Sequence, residues 1–236
     1  MKICGFLKTT LLDFPGRVAC TVFTGGCNLR CPFCHNSELL DMSIPSEYTE
    51  EQIFDFLEKR HHTLEGVAIT GGEPTLQKDL PEFIEKIRER FGLKIKLDTN
   101  GTNNRMLKEL IDFGLVDYVA MDVKSSVTNY AAVCGLLPEQ FNFPAIEKSR
   151  DILLKGRVPY EFRTTVVEGL HSEEDFREIG PWIEGCERYF LQAYKDTGNV
   201  LDREAGFSQP KKEQLLRYAE LVRPYVGSVE LRGIDY

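Results

Sequence analysis

Three closely spaced cysteines are the residues of this sequence best suited to chemistry. They lie in the run Gly25-Gly26-Cys27-Asn28-Leu29-Arg30-Cys31-Pro32-Phe33-Cys34-His35-Asn36. Thiolates this close on one loop can share an inorganic centre, and an iron-sulfur cubane normally takes a cysteine on each of its four irons. Three cysteines would leave one iron open. An open iron can ligate a small molecule and pass it an electron.

Other uses of these thiols stay open at this point. His35 follows Cys34, and zinc accepts thiolate and imidazole ligands, so a Cys3His zinc site is an alternative. A disulfide framework fits less well, because 7 cysteines is an odd number and 236 residues is long for a small secreted scaffold. We expect reduced thiols, and structural burial for the isolated cysteines Cys4, Cys20, Cys134 and Cys186.

The composition is that of a globular protein. With 42% hydrophobic residues, the 236-residue chain can bury the core of one large α/β domain. We find no apolar stretch long enough for a signal peptide or a membrane span, so we expect a soluble cytoplasmic protein without a membrane partner. The net charge of -8 and the scattered basic residues argue against a nucleic-acid partner.

Hydrophobic periodicity predicts a repeated strand and helix order along the chain. We expect six strand-helix units, with strands at 18–24, 67–70, 94–97, 116–121, 160–167 and 188–193 and helices at 49–60, 80–90, 103–113, 145–155, 172–184 and 211–222. Eight units close a TIM barrel, so six predict an open one. The predicted fold is α/β, a partial (β/α)6 TIM-like barrel of parallel strands, with residues 2–12 as an N-terminal hairpin extension.

Function in such folds gathers at the carboxyl ends of the strands. After the second predicted strand, Gly71 and Gly72 let the backbone approach a ligand closely, and Glu73 and exposed carbonyls can accept hydrogen bonds from an ammonium group. Gly-Gly and Pro are also common in plain turns, so alone this segment is equally typical of a turn.

Two aspartates end neighbouring predicted strands. Asp98 with Thr99, and Asp122 with Lys124, are expected to converge at the mouth of the barrel. Such an oxygen cluster suits a hard cation or an acid-base pair. The alternative is that Asp98 feeds an Asn-Gly turn and that Asp122 caps a helix.

Together these motifs resemble those of the radical S-adenosylmethionine (SAM) superfamily. The resemblance implies that Cys27, Cys31 and Cys34 hold a 4Fe-4S cluster, whose open iron chelates SAM and reductively cleaves it to a 5'-deoxyadenosyl radical. It also implies that the Gly-Gly-Glu segment holds the amino group of SAM and that Phe33 flanks the adenine. The whole chain, 1–236, would then be a single radical SAM domain.

The sequences Cys-His-Asn, Asp-Thr-Asn-Gly and Asp-x-Lys narrow the resemblance to pyruvate formate-lyase activating enzyme and its relatives. In that family two aspartates and a threonine form a monovalent-cation site beside the SAM carboxylate, which implies Asp98, Thr99 and Asp122 here. Gln192 stands where the pyruvate formate-lyase enzyme places a late histidine. The other residues implied to bind SAM are Lys124 and Arg163.

The run from Lys8 to Arg17, KTTLLDFPGR, resembles the branch called anaerobic ribonucleoside-triphosphate reductase activating protein. This implies an activase that abstracts hydrogen from a glycine of a partner glycyl radical enzyme. The partner that the resemblance implies is the anaerobic ribonucleotide reductase. A low-potential electron donor such as flavodoxin or ferredoxin is implied as well. The alternatives are an activase of pyruvate formate-lyase, a small-molecule enzyme like 7-carboxy-7-deazaguanine synthase, and a zinc-binding or electron-transfer module without chemistry.

Overall fold

The structure, a computed structural model, describes residues 1–196, 198 and 200–234. One sheet of eight strands forms its centre, and neighbours in the sheet follow the order of the sequence. The strands are β1 (Ile3–Thr10), β2 (Ala19–Thr24), β3 (Gly66–Gly71), β4 (Lys94–Thr99), β5 (Tyr118–Asp122), β6 (Tyr160–Val166), β7 (Arg188–Ala193) and β8 (Ser228–Arg232).

Helices connect the parallel strands. They are α1 (Glu50–Arg60), α2 (Leu80–Phe91), α3 (Asn104–Asp112), α4 (Tyr130–Val133), α5 (Phe143–Leu154), α6 (Glu173–Trp182) and α7 (Lys212–Val222). The sequence sets several of these boundaries locally. Thr49 and Gln52 form the expected capping box at the start of α1, and Gly92, in a left-handed conformation, ends α2.

The topology confirms the partial barrel. Strand β1 pairs antiparallel with β2, as the predicted hairpin requires, and every later pair from β2 to β8 is parallel. The six expected units are present, and two elements were not predicted: the short helix α4 and the seventh parallel strand, β8. The strand order leaves β1 and β8 as the two edges of the sheet within the described residues, so the barrel is open on one side.

The two faces of the sheet have different chemistry because side chains alternate along a strand. On β4, Ile95 and Leu97 belong to the hydrophobic core, whereas Lys96 and Asp98 line a cavity inside the barrel. The inner face is therefore charged. One of its carboxylates, Glu161, is 1% exposed and accepts hydrogen bonds from Arg232 at 2.8 and 3.0 Å.

No helix within the described residues is both long and apolar enough to span a lipid bilayer.

Candidate active site

One cavity of about 220 Å³ lies at the carboxyl ends of the strands. Every site residue expected from the sequence lines it: Cys27, Cys31, Phe33, Cys34, Gly71, Gly72, Glu73, Asp98, Thr99, Asp122, Lys124, Arg163 and Gln192. His35, the imidazole of the alternative zinc site, lines it as well, as do residues to which the sequence analysis gave no role, namely Leu29, Asn36, Leu40, Thr70, Asn100 and Thr165. The structure therefore brings the separate motifs into a single space.

The three cysteines follow the end of β2 and are largely shielded from solvent. Cys27 and Cys31 are buried, and Cys34 is partly exposed. Burial raises the pKa of the Cys27 thiol to about 11, so a positively charged centre is needed to stabilise its thiolate.

The donor set of the cavity fits an iron-sulfur cluster. Cys27, Cys31 and Cys34 all line this one cavity. A cubane distributes its thiolates over different irons, so three thiols in one cavity suit it and leave one iron open. Within the described residues, no three His, Cys, Asp or Glu side chains are placed to hold one metal ion.

A fourth thiol adjoins this loop and was not expected there. Cys134, at the end of α4, is fully buried, and its carbonyl accepts a hydrogen bond of 2.9 Å from the Arg30 amide. A hydrogen bond from the Cys134 side chain lowers the pKa of Cys31 to about 7. No local sequence pattern indicates this contact, because Cys134 stands about 100 residues further along the chain.

The Gly-Gly-Glu segment is bonded directly to the cysteine loop. Gly72 N–H donates to the Thr24 carbonyl at 2.8 Å, and Glu73 N–H donates to the Gly26 carbonyl at 2.8 Å. A Cβ on Gly72 would lie 2.2 Å from that Gly26 oxygen, and Gly71 has a φ of +117°. Glycine is thus required here by a close backbone approach as well as by a turn.

The Glu73 carboxylate is occupied by the protein. It is 1% exposed and accepts hydrogen bonds from Thr75 N–H at 3.1 Å, Thr75 Oγ1 at 2.5 Å, Thr99 Oγ1 at 2.7 Å and Asn100 N–H at 2.6 Å. Its side chain therefore joins the loops after β3 and β4. Oε1 accepts three of these hydrogen bonds and Oε2 one, so the ammonium contact expected for Glu73 and the neighbouring carbonyls stays a prediction.

A charge cluster lies beside these loops. Arg163 donates to Asp122 Oδ1 at 3.0 Å and to Asp98 Oδ2 at 3.3 Å, and Lys124 donates to Asp122 Oδ2 at 2.9 Å. Lys96 forms an ion pair with Asp98. Burial alone would raise the pKa of Asp122, but the Arg163 and Lys124 charges outweigh it and hold the value at about 2.

This geometry differs from the expected cation site. Thr99 gives its hydroxyl hydrogen to Glu73 rather than facing the aspartates, since neighbouring residues on a strand point to opposite faces. The Arg163 guanidinium lies between the two carboxylates instead. Asp122 and Arg163 are partners in the β5–β6 register, so the pairing follows from the sheet itself.

Two further expected residues lie at the sides of the cavity. Phe33 is 4% exposed and packs edge-on against His171 and Phe207. Gln192 lies at the end of β7, where its amide is 3.5 Å from Thr165 Oγ1.

Removing Arg163 should expose the energetic coupling of this charge cluster. Arg163→Met leaves two carboxylates without their shared partner, and we expect a loss of about 3 kcal/mol in unfolding free energy at pH 7. The pKa of Asp122 is lowered from 3.8 to about 2, so its ion-pair stabilisation is present above pH 3.8 and lost as the pH falls towards 2. The difference from wild type should therefore shrink over that range.

Urea denaturation at several pH values checks this expectation. Arg157→Met is the matched control, because Arg157 also pairs with an aspartate, Asp112, but at the surface. Its loss should stay below about 1 kcal/mol. Equal losses in the two variants would contradict the proposed coupling.

Comparison with solved structures shows the same fold. The chain matches a radical SAM methyltransferase from Sphaerobacter thermophilus with a TM-score of 0.71 and 16% identity, covering 93% of this chain and 68% of that one. It also matches SuiB of Streptococcus suis, solved with bound SAM, with a TM-score of 0.66 and 16% identity, covering 89% of this chain and 49% of that one.

Curated relatives match over nearly the whole chain. A protein of Methanocaldococcus jannaschii, provisionally named a glycyl-radical enzyme activating enzyme, is 32% identical over 99% of this chain and 96% of its own length. The pyruvate formate-lyase 1-activating enzyme of Escherichia coli K12 is 29% identical over 95% of this chain and 96% of its own. The Radical SAM superfamily model matches residues 21–177. This match confirms the family expected from the cysteine, Gly-Gly-Glu and aspartate motifs. The cofactors of that family are a 4Fe-4S cluster and SAM. The chain belongs to the radical SAM superfamily.

Proposed function

We propose that this protein is an activating enzyme that generates a glycyl radical on a partner protein. The observation that carries the proposal is the single cavity that joins the three cysteines, the Gly-Gly-Glu segment and the Asp98–Arg163–Asp122 charge cluster. When bound, the cluster and SAM supply a low-potential electron and a 5'-deoxyadenosyl radical that takes a hydrogen atom from the substrate. A cytosolic flavodoxin or ferredoxin is the proposed electron donor.

The cysteine and glycine loops divide the binding of these cofactors between them. Cys27, Cys31 and Cys34 would each ligate one iron, which leaves the fourth for SAM. The backbone of Gly71 and Gly72 would accept hydrogen bonds from the SAM ammonium group. The hydrogen bonds between the two loops hold the ammonium site and the thiols in a fixed relation.

The charge cluster suits the SAM carboxylate. Lys124 and Arg163 both line this cavity, and each is paired with an aspartate. A carboxylate that enters the cavity can accept hydrogen bonds from these two cations in a partly desolvated space, where such contacts are strong. Lys124 and Arg163 are the proposed carboxylate partners.

A second opening suits a substrate that arrives from the side of the barrel. A cavity of about 540 Å³ at the open edge shares Asp98, Arg163 and Gln192 with the first cavity. Leu11 and Leu12 stand at its rim and are 71% and 89% exposed. Exposed leucines beside an open channel favour a segment of another protein as the substrate, because association would bury them.

Two partners compete within this proposal. The N-terminal run from Lys8 to Arg17 and the glutamine at position 192 favour the anaerobic ribonucleotide reductase. The similarity to the Escherichia coli enzyme supports pyruvate formate-lyase as the second candidate.

Cofactor loading is the first test. After anaerobic reconstitution the protein should bind about four irons and four sulfides and, with dithionite, convert SAM to methionine and 5'-deoxyadenosine. Cys34→Ala should lose the cluster. Cys186→Ala, which removes a buried thiol that does not line the cavity, should retain it. Binding of one zinc without formation of 5'-deoxyadenosine would refute the enzymatic proposal.

Radical transfer is the second test. Incubation with the anaerobic ribonucleotide reductase should produce the electron paramagnetic resonance doublet of a glycyl radical. Leu12→Asp should slow its formation about tenfold, since a leucine contributes about 1.5 kcal/mol or more on burial, while SAM cleavage without the partner stays unchanged. Leu216→Asp is the control, at a 45%-exposed leucine of α7. A doublet obtained only with pyruvate formate-lyase would reverse the choice of partner.

The third test concerns monovalent cations. Because Arg163 already supplies positive charge between Asp98 and Asp122, SAM affinity should be the same in potassium and in a bulky organic cation at equal ionic strength. Isothermal titration of SAM into the reconstituted protein measures this. Tighter binding in potassium would show that the aspartates take a metal cation after SAM enters.

A further inference from the structure

Asn100, which the sequence placed only in an Asn-Gly turn, has a fixed orientation in the cavity wall. Its side-chain oxygen accepts hydrogen bonds from Thr102 N–H at 2.9 Å and Thr102 Oγ1 at 2.6 Å. With the oxygen satisfied by two donors, the amide NH2 must point the other way. There it lies 3.8 Å from Cys27 Sγ and 3.1 Å from Asn28 Oδ1.

The backbone of Asn100 is held independently of this side chain. Its N–H donates to Glu73 Oε2 at 2.6 Å, a bond that survives replacement of the side chain. Asn100 is 6% exposed, so water cannot readily replace its amide beside the sulfur. The same residue thus touches the loop proposed to bind the SAM ammonium group and a proposed iron ligand.

A hydrogen bond to a cluster thiolate has a definite electrochemical effect. Reduction adds negative charge to the cluster and its sulfur ligands, so an N–H donor stabilises the reduced form more than the oxidised one. Hydrogen bonds to sulfur are among the features that set cluster potentials. Loss of the donor therefore lowers the potential.

We propose that Asn100 is a positioning residue that donates a hydrogen bond to the Cys27 sulfur and raises the reduction potential of the cluster. This inference rests on the proposed role of Cys27 as an iron ligand. It gives the Asp-Thr-Asn-Gly segment a second task beyond its contacts with Glu73 and Arg163. The backbone amide of Leu29, 3.4 Å from the same sulfur, provides a parallel donor.

The test is a redox titration of the reconstituted protein without SAM, monitored by electron paramagnetic resonance. Asn100→Ala should shift the reduction equilibrium about tenfold towards the oxidised cluster, which is about 59 mV lower for a one-electron couple. Asn103→Ala is the matched control. Asn103 lies in the same loop, caps α3 and donates to the Thr75 carbonyl at 2.7 Å, so this variant loses stability without losing a donor to sulfur.

Asn100→Asp provides a second variant that keeps the side-chain shape. Its carboxylate can still accept from Thr102 but donates nothing to Cys27, so the potential should fall at least as far as in Asn100→Ala. Thermal denaturation and iron analysis verify that each variant is folded and loaded. If neither Asn100 variant yields a loaded protein, wild-type protein with isotope-labelled asparagine is measured instead. Hyperfine couplings from the cluster to the asparagine amide, whose protons exchange with deuterium, then show whether this amide contacts the cluster.

Three results would overturn the inference. They are equal potentials in wild type and both Asn100 variants, an equal decrease in Asn103→Ala, and labelled wild type without a coupling from the asparagine amide. Each leaves the proposed function intact, provided that the wild-type protein loads its cluster and cleaves SAM. Failure of the wild type to bind a cluster would refute both proposals together.

Discussion

The buried carboxylate of Glu73 holds the loops after β3 and β4 together through its hydrogen bonds. A carboxylate with 1% exposure is costly unless its oxygens are hydrogen-bonded, and burial does raise the pKa of Glu73. Donors from Thr75, Thr99 and Asn100 compensate for the lost hydration. Thr75 follows β3, whereas Thr99 and Asn100 lie at the end of β4, so these hydrogen bonds hold the two loops against each other. The two loops behave as one unit because separating them would leave this group without partners.

From that unit, contacts extend in two directions. Backbone hydrogen bonds of Gly72 and Glu73 reach the cysteine loop, so the thiols are fixed relative to the Gly-Gly-Glu segment. On the other side, Asp98 on β4 meets Arg163 on β6, and Asp122 on the intervening strand β5 completes the triad. These charges are paired before any ligand arrives. A site with preset charges needs less reorganisation when a charged cofactor binds, which favours catalysis by electrostatic preorganisation.

The open barrel explains how so polar an interior is tolerated. A closed barrel of this fold fills its centre with branched apolar side chains. Here the sheet ends at β1 and β8, and a cavity at that edge shares Asp98, Arg163 and Gln192 with the one containing the cysteines. The inner face can therefore carry Lys96, Glu161 and Arg163, while the apolar core lies between the sheet and the helices. In the proposed function, this open side would admit the protein substrate.

Much of the fold and of the candidate site could be predicted from the sequence, because short segments of the chain carry the signals. Hydrophobic periodicity located six strands and six helices, and Thr49 with Gln52 marked a helix start by their own side chains. The cysteine spacing and the glycines at 71 and 72 identified the chemistry because one short loop carries each motif. Strand β8 escaped prediction because it is short and only half-buried, without the alternation that a strand with one buried face shows.

Which side chains contact one another depends on how the strands pair. Sequence placed Thr99 with the two aspartates, but strand alternation turns its hydroxyl towards Glu73, and the sheet register sets Arg163 beside Asp122. The contact of Asn100 with Cys27 likewise joins residues 73 positions apart, and that of Cys134 with Cys31 spans a longer separation. Local sequence patterns specify the chemical groups and the order of the strands that carry them. The contacts of these groups depend on strand direction, on register and on the face of the sheet to which each side chain points, and these exist only once the sheet has formed.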